Sequence, residues 1–358
     1  MARSKPGLLL TLLISAGALL GAACGGEDAS TEPTAGSGGP EKPVTLRLGY
    51  FANVTHAPAV IGVADGSFQA ELGPDVKLAT KVFNAGPAVI EAMFAGELDA
   101  AFVGPNPAIN GFQRSNGKEV RIVAGATSGG ALLIVRPEAN INSAKDLAGK
   151  KIATPQLGNT QDVALRSYLL KNGLKPKENG GNVTVLPTAN ADQLTLFQKG
   201  EIDGAWAPEP WATRLVLEAG GKVFLDEKTL WPDGEFVTTH LIVSAKFLRE
   251  YPGAVERLVR AEVKATQKIN ANPEKAKEMV NKGIEQLTGK ALSKATIDGA
   301  WKNLTFTYDP IMSSLTKSAK DAFEAGLLGR KEPDLDGIYQ LSILNKVLSE
   351  LMLAPVSE

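Results

Sequence analysis

The order of strands and helices in this chain runs once and then starts again about 104 residues later. Residues 96–102 read Gly-Glu-Leu-Asp-Ala-Ala-Phe, and residues 200–206 read Gly-Glu-Ile-Asp-Gly-Ala-Trp. A proline-containing loop follows each of these segments, at 105–108 and at 208–211. A single turn of this kind recurs by chance, but recurrence of the whole strand, loop and helix order indicates two similar lobes.

Predicted strands in both halves are separated by helical stretches of about ten residues. This alternation is typical of β-α-β units. In the first half we predict strands at 45–49, 76–83, 100–103 and 120–124. In the second half we predict strands at 132–135, 151–154, 183–186, 205–207, 222–225 and 240–243. The sequence therefore predicts an α/β fold of two lobes, each a mostly parallel sheet flanked by helices, with a ligand cleft between them.

The lobe boundaries follow from the glycines and from the last helices. Ser128-Gly129-Gly130 is a natural crossover, because glycine allows backbone angles that other residues avoid. After residue 245 the apolar residues follow a helical period, and these helices are expected to pack on the first lobe. We therefore assign 44–127 and 245–358 to lobe I and 128–244 to lobe II.

The N-terminal 43 residues are interpreted as an export signal and a tether. Arg3 and Lys5 precede an apolar run at 8–20, which is shorter than the roughly 20 residues that a membrane-spanning helix needs. Gly21-Ala22-Ala23 then precedes Cys24, the only cysteine, and residues 1–23 resemble a bacterial lipoprotein signal that leaves Cys24 lipidated. Ordinary secretion with an incidental cysteine is the alternative. Residues 24–43 are polar and rich in Gly, Ser, Thr and Pro, which predicts a flexible tether.

Composition excludes several classes of protein. The formal net charge is −1, whereas nucleic-acid binding needs clustered Lys and Arg, so we expect no nucleic-acid partner. One cysteine permits no internal disulfide, and two histidines leave little for a zinc site. No phosphate loop, nucleophile elbow or metal motif occurs in the sequence. We therefore expect no cofactor, no metal and no catalytic residue.

Candidate ligand-binding residues lie in the loops that follow the strands, because open α/β sheets bind ligands beyond the carboxyl ends of their strands. Small-molecule sites also concentrate between domains. From the first half we select Asn53, His56, Asn84, Gly86, Gly104, Asn106 and Thr127.

The corresponding loop of the second half leads into a predicted helix that starts at Thr160. The unpaired N–H groups of a helix start form a site for an anion. We therefore select Gly158, Asn159, Thr160 and Gln161. Asn159 or Thr160 is a suitable N-cap, and the alternative is that Thr160 and Asp162 only cap the helix.

Four further candidates are Trp206, Glu209, Thr239 and His240. Trp206 is expected to wall the pocket, and Trp211 to pack in the core; a structural hydrogen bond is the alternative for His240. The candidate loops carry almost no Lys or Arg, so an anion would be held by helix N-termini, hydroxyls and amides. A neutral polar ligand would fit equally well.

Several of these loops resemble the substrate-binding proteins of the nitrate/sulfonate/taurine ABC-importer family, and of these the aliphatic-sulfonate-binding branch most. The resemblance rests on residues 49–59, 84–99, 104–108, 156–162 and 206–212, and it spans about 44–348. It implies a two-lobed periplasmic-binding-protein fold of type II with a central cleft. By the same resemblance, a sulfonate or nitrate group would be held at Gly158-Asn159-Thr160 and enclosed by residues 53–56, 84–86 and 104–106.

The resemblance further implies an extracytoplasmic lipoprotein, attached to the membrane by lipid only, that captures a small oxyanion. Its partners would be an ABC permease and its ATPase, and we expect a monomer. Three alternatives remain open: a binding protein for a neutral pyrimidine-type ligand, a sensory lipoprotein, and an enzyme. Enzymes of a related thiamine-precursor branch carry clustered cysteines, which this chain lacks after Cys24.

Overall fold

A computed structural model describes residues 43–357. The strands are β1 Val44–Phe51, β2 Val76–Phe83, β3 Ala100–Val103, β4 Val120–Gly129, β5 Ala131–Val135, β6 Lys151–Thr154, β7 Thr184–Pro187, β8 Gly204–Pro208, β9 Lys222–Asp226, β10 Val237–Ser244 and β11 Leu304–Phe306. The helices are α1 Ala57–Ala64, α2 Ser67–Leu72, α3 Gly86–Phe94, α4 Pro105–Arg114, α5 Thr160–Lys171, α6 Asn190–Gln198, α7 Trp211–Ala219, α8 Ala245–Glu250, α9 Pro252–Ala271, α10 Pro273–Thr288, α11 Lys294–Lys302, α12 Met312–Glu324 and α13 Leu341–Glu350.

Two sheets organise these elements, and their strand orders match. The first sheet has the order β11-β4-β10-β3-β1-β2 and the second has the order β9-β5-β8-β6-β7. Strands β2-β1-β3 correspond to β7-β6-β8, and in both sheets these three are parallel. This agreement confirms the predicted α/β fold with two lobes of similar plan.

One strand in each sheet runs against both of its neighbours, and the other strands, except the short edge strand β11, share one direction. In the first sheet β10 is antiparallel to both β3 and β4, and in the second β5 is antiparallel to both β8 and β9. Each of these strands is the first one after the chain crosses from the other sheet. Such a strand is not the product of a right-handed β-α-β unit, and therefore nothing requires it to be parallel.

The predicted end of lobe II at residue 244 is wrong. The strand Val237–Ser244 pairs with β3 and β4 and belongs to the first sheet, so the chain has already crossed back before Val237. An apolar run such as Leu241-Ile242-Val243 has the same pattern in the middle of either sheet. The sheet to which such a strand belongs is decided by its hydrogen-bond pairing with the strands on both sides, and local sequence does not encode that pairing.

The repeated Gly-Glu-[Leu/Ile]-Asp turn performs the same task in both lobes. The Asp99 carboxylate accepts from the backbone N–H of Arg47 at 2.9 Å, and the Asp203 carboxylate accepts from that of Lys151 at 2.8 Å. In return, the N–H groups of Asp99 and Asp203 donate to the carbonyls of Arg47 and Lys151. Each turn therefore bonds to the parallel strand that leads into the first loop of its lobe, at Arg47 within β1 and at Lys151 at the start of β6.

The helices after β10 pack on the first sheet. Val255, Leu258 and Val259 of α9 lie in one core with Leu46 and Leu48 of β1. A second core covers the opposite face and includes Leu315 and Ala319 of α12. The first sheet is thus covered on both faces, and α12 is carried towards the second lobe, where it contacts α5 through Lys171 and Asp321.

Across residues 43–357, no helix combines the length and the apolar character that a bilayer span requires. The predicted signal peptide at 1–23, Cys24 and almost all of the tether at 24–43 lie outside the described residues.

Candidate ligand-binding site

A small polar cavity of about 20 Å³ lies where the strand-end loops of the two lobes meet. We call it the polar cavity; it is lined by Phe51, Asn53, Thr55, His56, Asn84, Gly104, Asn159, Thr160, Gln161, Asn190, Pro208 and Thr238. A cavity of this size holds one or two water molecules. The two lobes are therefore in close contact at this point.

Seven predicted site residues meet at the polar cavity. They are Asn53, His56, Asn84, Gly104, Asn159, Thr160 and Gln161. Two loops from different lobes are brought together by the fold, as the internal repeat led us to expect.

Thr160 presents a hydroxyl with no hydrogen-bond partner to this cavity. The residue is 6 % exposed, and its Oγ1 is buried without a partner. Thr160 can lie this close to the opposite lobe because residue 104 of that lobe is glycine. A Cβ at Gly104 would overlap Thr160 Oγ1. An unpaired buried hydroxyl costs free energy of about 1–3 kcal/mol, and a bound acceptor would recover it.

Asn159 precedes α5 as its N-cap, yet its side chain does not cap the helix. Instead, Asn159 Oδ1 accepts from the backbone N–H of Gly86 at 3.3 Å, and Nδ2 donates to Gln161 Oε1 at 3.0 Å. The first of these bonds joins the two lobes. Asn159 therefore does not cap α5 with its side chain.

The loop before α5 is held by Asp162. This fully buried carboxylate accepts from Thr154 Oγ1 at 2.9 Å, from Gly158 N at 2.9 Å and from Arg166 Nε at 2.9 Å. Gly158 has φ +74°, a left-handed conformation that favours glycine. Asp162 thus fixes the backbone that positions Thr160, while Gly158 itself does not line the polar cavity.

Trp211 makes a second polar contact between the lobes. Its indole Nε1 donates to Asn53 Oδ1 at 3.0 Å, although we expected this side chain to pack in the core. Arg214 lies over the Trp211 ring at 4.6 Å and holds the indole from the other side. In the sequence Trp211 is only an aromatic residue after a proline. That pattern does not distinguish a tryptophan packed in the core from one that bonds to the opposite lobe.

His56 is neutral and fully buried. Burial lowers the pKa of His56 to about 3, and its ring stacks on Phe51 at 4.2 Å. Its Nδ1 accepts from the backbone N–H of Phe51 at 3.4 Å. A neutral imidazole that accepts at Nδ1 carries its hydrogen on Nε2, so His56 is a hydrogen-bond donor without charge.

Asn190 lines the polar cavity but was not selected from the sequence. It begins α6, is 7 % exposed, and its Oδ1 has no partner. The internal repeat contained the signal, because Asn190 stands about 104 residues after Gly86, in the equivalent loop. Rotation of the Asn190 side-chain amide places its two N–H donors in the polar cavity at the position now taken by Oδ1.

Several predicted residues serve structural contacts instead. Thr127 Oγ1 and Thr239 Oγ1 both donate to the carbonyl of Thr55, at 2.7 and 3.0 Å. They hold the turn that carries Asn53 and His56, and neither lines the polar cavity.

Three more predicted residues lie away from the polar cavity. His240 Nε2 contacts the carbonyl of Pro310 at 3.1 Å, and burial lowers the pKa of His240 to about 4. Trp206 is fully buried in the second lobe and donates to Glu227 Oε2 at 2.8 Å. Glu209 accepts from Thr213 Oγ1 at 2.8 Å and from Asn303 Nδ2 at 2.6 Å, so it joins the second lobe to the end of α11.

Asn106 lines a different and larger cavity. We call this space, of about 330 Å³, the side cavity; it lies between α5 and α12, and Thr160 lines both cavities. Asn106 Nδ2 donates to the carbonyl of Ser318 at 3.2 Å. The remaining predicted residue, Gly86, contacts the site only through its bond to Asn159.

The described residues that line the polar cavity include no lysine, arginine or carboxylate. Its hydrogen-bond donors are the hydroxyl of Thr160, the imidazole of His56, the amides of asparagine and glutamine, and the first N–H groups of α5. Such a set suits a weakly basic anion or a neutral polar group.

Comparison with known sequences identifies relatives of this chain. The profile of the NMT1-like family matches residues 39–282. A binding protein from Brucella abortus is 27 % identical over 272 residues, which cover 72 % of this chain and 81 % of the relative.

Comparison with solved structures shows the same fold. The alkanesulfonate-binding protein of Xanthomonas axonopodis pv. citri, bound to MOPS, superimposes with a TM-score of 0.71 at 18 % identity; the match covers 84 % of this chain and all of that protein. The periplasmic nitrate-binding protein of Synechocystis PCC 6803 gives a TM-score of 0.69 at 17 % identity, covering 88 % of this chain and 90 % of that protein. These likenesses confirm the two-lobed fold.

Proposed function

The chain belongs to the NMT1-like family, and on that premise we propose that it is the extracytoplasmic solute-binding component of an ABC importer. Its ligand is a small oxyanion of the sulfonate or nitrate type, held in the polar cavity between the lobes. The observation that carries this proposal is the unpartnered, buried hydroxyl of Thr160, facing the opposite lobe beside His56 and Asn190.

The chemistry of the polar cavity supports a weakly basic anion. Sulfonate and nitrate oxygens accept hydrogen bonds but are not protonated at physiological pH, so hydroxyl, amide and imidazole donors suffice. Strongly basic or dianionic groups would call for arginine or lysine, and the described lining residues include neither. The names of the Xanthomonas and Synechocystis proteins, which bind an alkanesulfonate and nitrate, agree with this choice.

Capture depends on closure of the two lobes. The bonds from Trp211 to Asn53 and from Gly86 to Asn159 form between lobes and are present only when the lobes meet. A ligand that bonds to both lobes binds the closed state more tightly and shifts the population towards it. The permease would then recognise the closed surface, and Cys24 would hold the protein at the membrane by lipid.

We propose binding rather than catalysis. The Brucella abortus relative, which is named as a binding protein, and the alkanesulfonate- and nitrate-binding proteins of the same fold support this choice. A neutral polar ligand is the second candidate, and the uncharged lining of the polar cavity favours it.

Titration calorimetry on the protein without its leader tests the proposal. The panel contains ethanesulfonate, taurine, nitrate, phosphate and a neutral pyrimidine. We expect a single site with micromolar affinity for a monoanion and no measurable binding of phosphate. Binding of the pyrimidine alone would establish the second candidate, and no binding across the panel would contradict both.

A further inference from the structure

The side cavity extends along the whole length of α5. Its lining from that helix consists of Thr160, Val163, Ala164, Ser167, Tyr168 and Lys171. These positions follow the spacing i, i+3, i+4, i+7, i+8 and i+11, which places them on one helix face. Eleven residues at 1.5 Å each give a length of about 16 Å from the polar cavity to the far end.

The walls of the side cavity change character along this length. Near the middle, Val163, Ala164 and Tyr168 face Leu230, Trp231 and Phe236, and all six line the space. Trp231 and Phe236 stack at 5.2 Å with their planes 8° apart, and Lys317 Nζ lies 3.9 Å from the centre of the Trp231 ring. This part suits an apolar chain or ring and offers it little hydrogen bonding.

The far end of the side cavity carries two ammonium groups. Lys171 Nζ and Lys317 Nζ lie 2.6 and 2.8 Å from the two oxygens of a single carboxylate, Asp321. Glu227, the other carboxyl in the lining, already accepts from the indole N–H groups of Trp206 and Trp231. Burial raises the pKa of Glu227 to about 7. Below that pH Glu227 is neutral, so the two ammonium groups share a single carboxylate, and one positive charge is in excess at this end.

The two cavities meet at Thr160, which lines both. The polar cavity has about 20 Å³ and admits only a compact group, whereas the side cavity has about 330 Å³, within the range of small-molecule pockets. The unpartnered Thr160 Oγ1 lies at this junction. A ligand whose small polar head lies at Thr160 therefore has room for a body along α5.

We propose that the ligand is an elongated organic sulfonate with a second acidic group at its far end. The sulfonate lies at Thr160, the apolar body lies between Tyr168 and Trp231, and the second acid meets Lys171 and Lys317. This assignment rests on the proposed function, because it takes the sulfonate position from the polar cavity. It adds a second binding compartment to the site and specifies an elongated ligand.

A series of alkanesulfonates tests the apolar compartment. Titration with ethane-, butane- and hexanesulfonate should show affinity rising by up to about fourfold for each added methylene, since each buried CH₂ contributes about 0.8 kcal/mol. Ala164→Leu, which fills part of the side cavity, should remove this gain while leaving ethanesulfonate affinity within twofold of wild type. Equal affinity across the series in the wild-type protein would overturn the proposal.

A matched pair of lysine variants tests the charged end. 6-Sulfohexanoate should bind the wild-type protein about three- to fivefold more tightly than hexanesulfonate, the gain expected of a partly exposed ion pair. Lys317→Gln should abolish this difference, and Lys320→Gln, on the same helix but outside the cavity lining, should keep it. Persistence of the difference in Lys317→Gln would overturn the assignment of the second acid.

The outcomes distinguish failure of the side-cavity assignment from failure of the proposed function. If ethanesulfonate binds and longer chains gain nothing, the side cavity is not a ligand compartment and the proposed function stands. If no sulfonate of any length binds, the proposed function itself fails.

Discussion

At the scale of single residues, the site depends on polar atoms that the fold leaves without partners. Thr160 Oγ1 and Asn190 Oδ1 are buried and unpaired, although most buried polar atoms in proteins are hydrogen-bonded. Both lie on the second lobe at the start of a helix, opposite Asn53 and His56. A ligand that supplied the missing acceptor or donor would recover the free energy lost by leaving them unpaired.

Thr160→Val removes the free hydroxyl and keeps the shape of the side chain. We expect the affinity for the sulfonate or nitrate to fall by about 10- to 100-fold, the effect of losing a hydrogen bond to an anion of about 1.5–3 kcal/mol. Calorimetric titration measures the change, and Thr195→Val on the exposed face of α6 is the control. Unchanged affinity in Thr160→Val would place the anion elsewhere.

Trp211→Phe removes the indole N–H that bridges to Asn53 and keeps an aromatic ring. Because this bond exists only in the closed form, its loss should shift the lobes towards the open form and weaken ligand binding by about fivefold, or about 1 kcal/mol. The thermal unfolding temperature without ligand should change little. A large fall in unfolding temperature with unchanged affinity would assign Trp211 to folding stability instead.

At the scale of elements, α9 carries a charge-bearing residue into the core. Glu262 is fully buried; its Oε1 accepts from Thr266 Oγ1 at 3.0 Å and its Oε2 has no partner. Burial raises the pKa of Glu262 to about 8 from an ordinary value of 4.5. The native state therefore binds a proton that the unfolded state has released, and Glu262 favours the native state at low pH.

This contribution is lost as the pH rises from about 4.5 through 8, because the unfolded state ionises first. Glu262→Gln keeps the shape and cannot ionise, so its advantage in unfolding free energy over wild type should grow across this range. Thermal unfolding at pH 5, 6.5 and 8.5 measures the difference. His56 and His240, whose low pKa values favour the native state as the pH rises, are present in both proteins and cancel. Parallel curves would show that Glu262 does not titrate in this range.

The elements also show how far the sequence predicts the structure. The strands 76–83, 100–103 and 151–154 and the helix Thr160–Lys171 were predicted with the observed bounds, because apolar alternation and helix starts are local signals. Strand β10 was assigned to the wrong lobe, since its pairing is a long-range property. Strand β11, of three residues, was missed; so short a segment has no recognisable period.

The candidate site divides in the same way. The loops after the strands were predicted to carry the site, and Asn53, His56, Asn84 and Thr160 from these loops line the polar cavity. Thr127 and Thr239 were selected for their hydroxyls, but those hydroxyls bond to the carbonyl of Thr55. Tertiary packing decides the direction of a side chain and whether a backbone carbonyl accepts a hydrogen bond from it. Local sequence does not reveal that packing.

At the scale of the whole molecule, the proposed capture of a ligand requires two lobes that close on a small site. Gly104 and Thr160 belong to different lobes, and a Cβ at Gly104 would overlap Thr160 Oγ1. Gly104 has φ −69°, which any residue adopts, so only the close approach of the lobes requires glycine here.

Gly104→Ala should therefore hold the lobes apart and leave each lobe folded. We expect ligand affinity to fall more than tenfold, in line with the roughly 1–3 kcal/mol cost of overpacking. Small-angle scattering of the wild-type protein should show compaction on saturation with ligand, and this compaction should be smaller in the variant. Normal affinity with normal compaction would show that the lobes do not close at Gly104.

The proposed function requires that a sulfonate or nitrate group binds between the lobes at Thr160. A crystal structure of the protein with ethanesulfonate tests it directly, because the anomalous scattering of sulfur locates the ligand independently of the surrounding density. We predict a sulfur peak in the polar cavity, with sulfonate oxygens within hydrogen-bond distance of Thr160 Oγ1 and of Asn190. A peak outside the interface of the lobes, or sulfonate oxygens that contact only one lobe, would contradict the account.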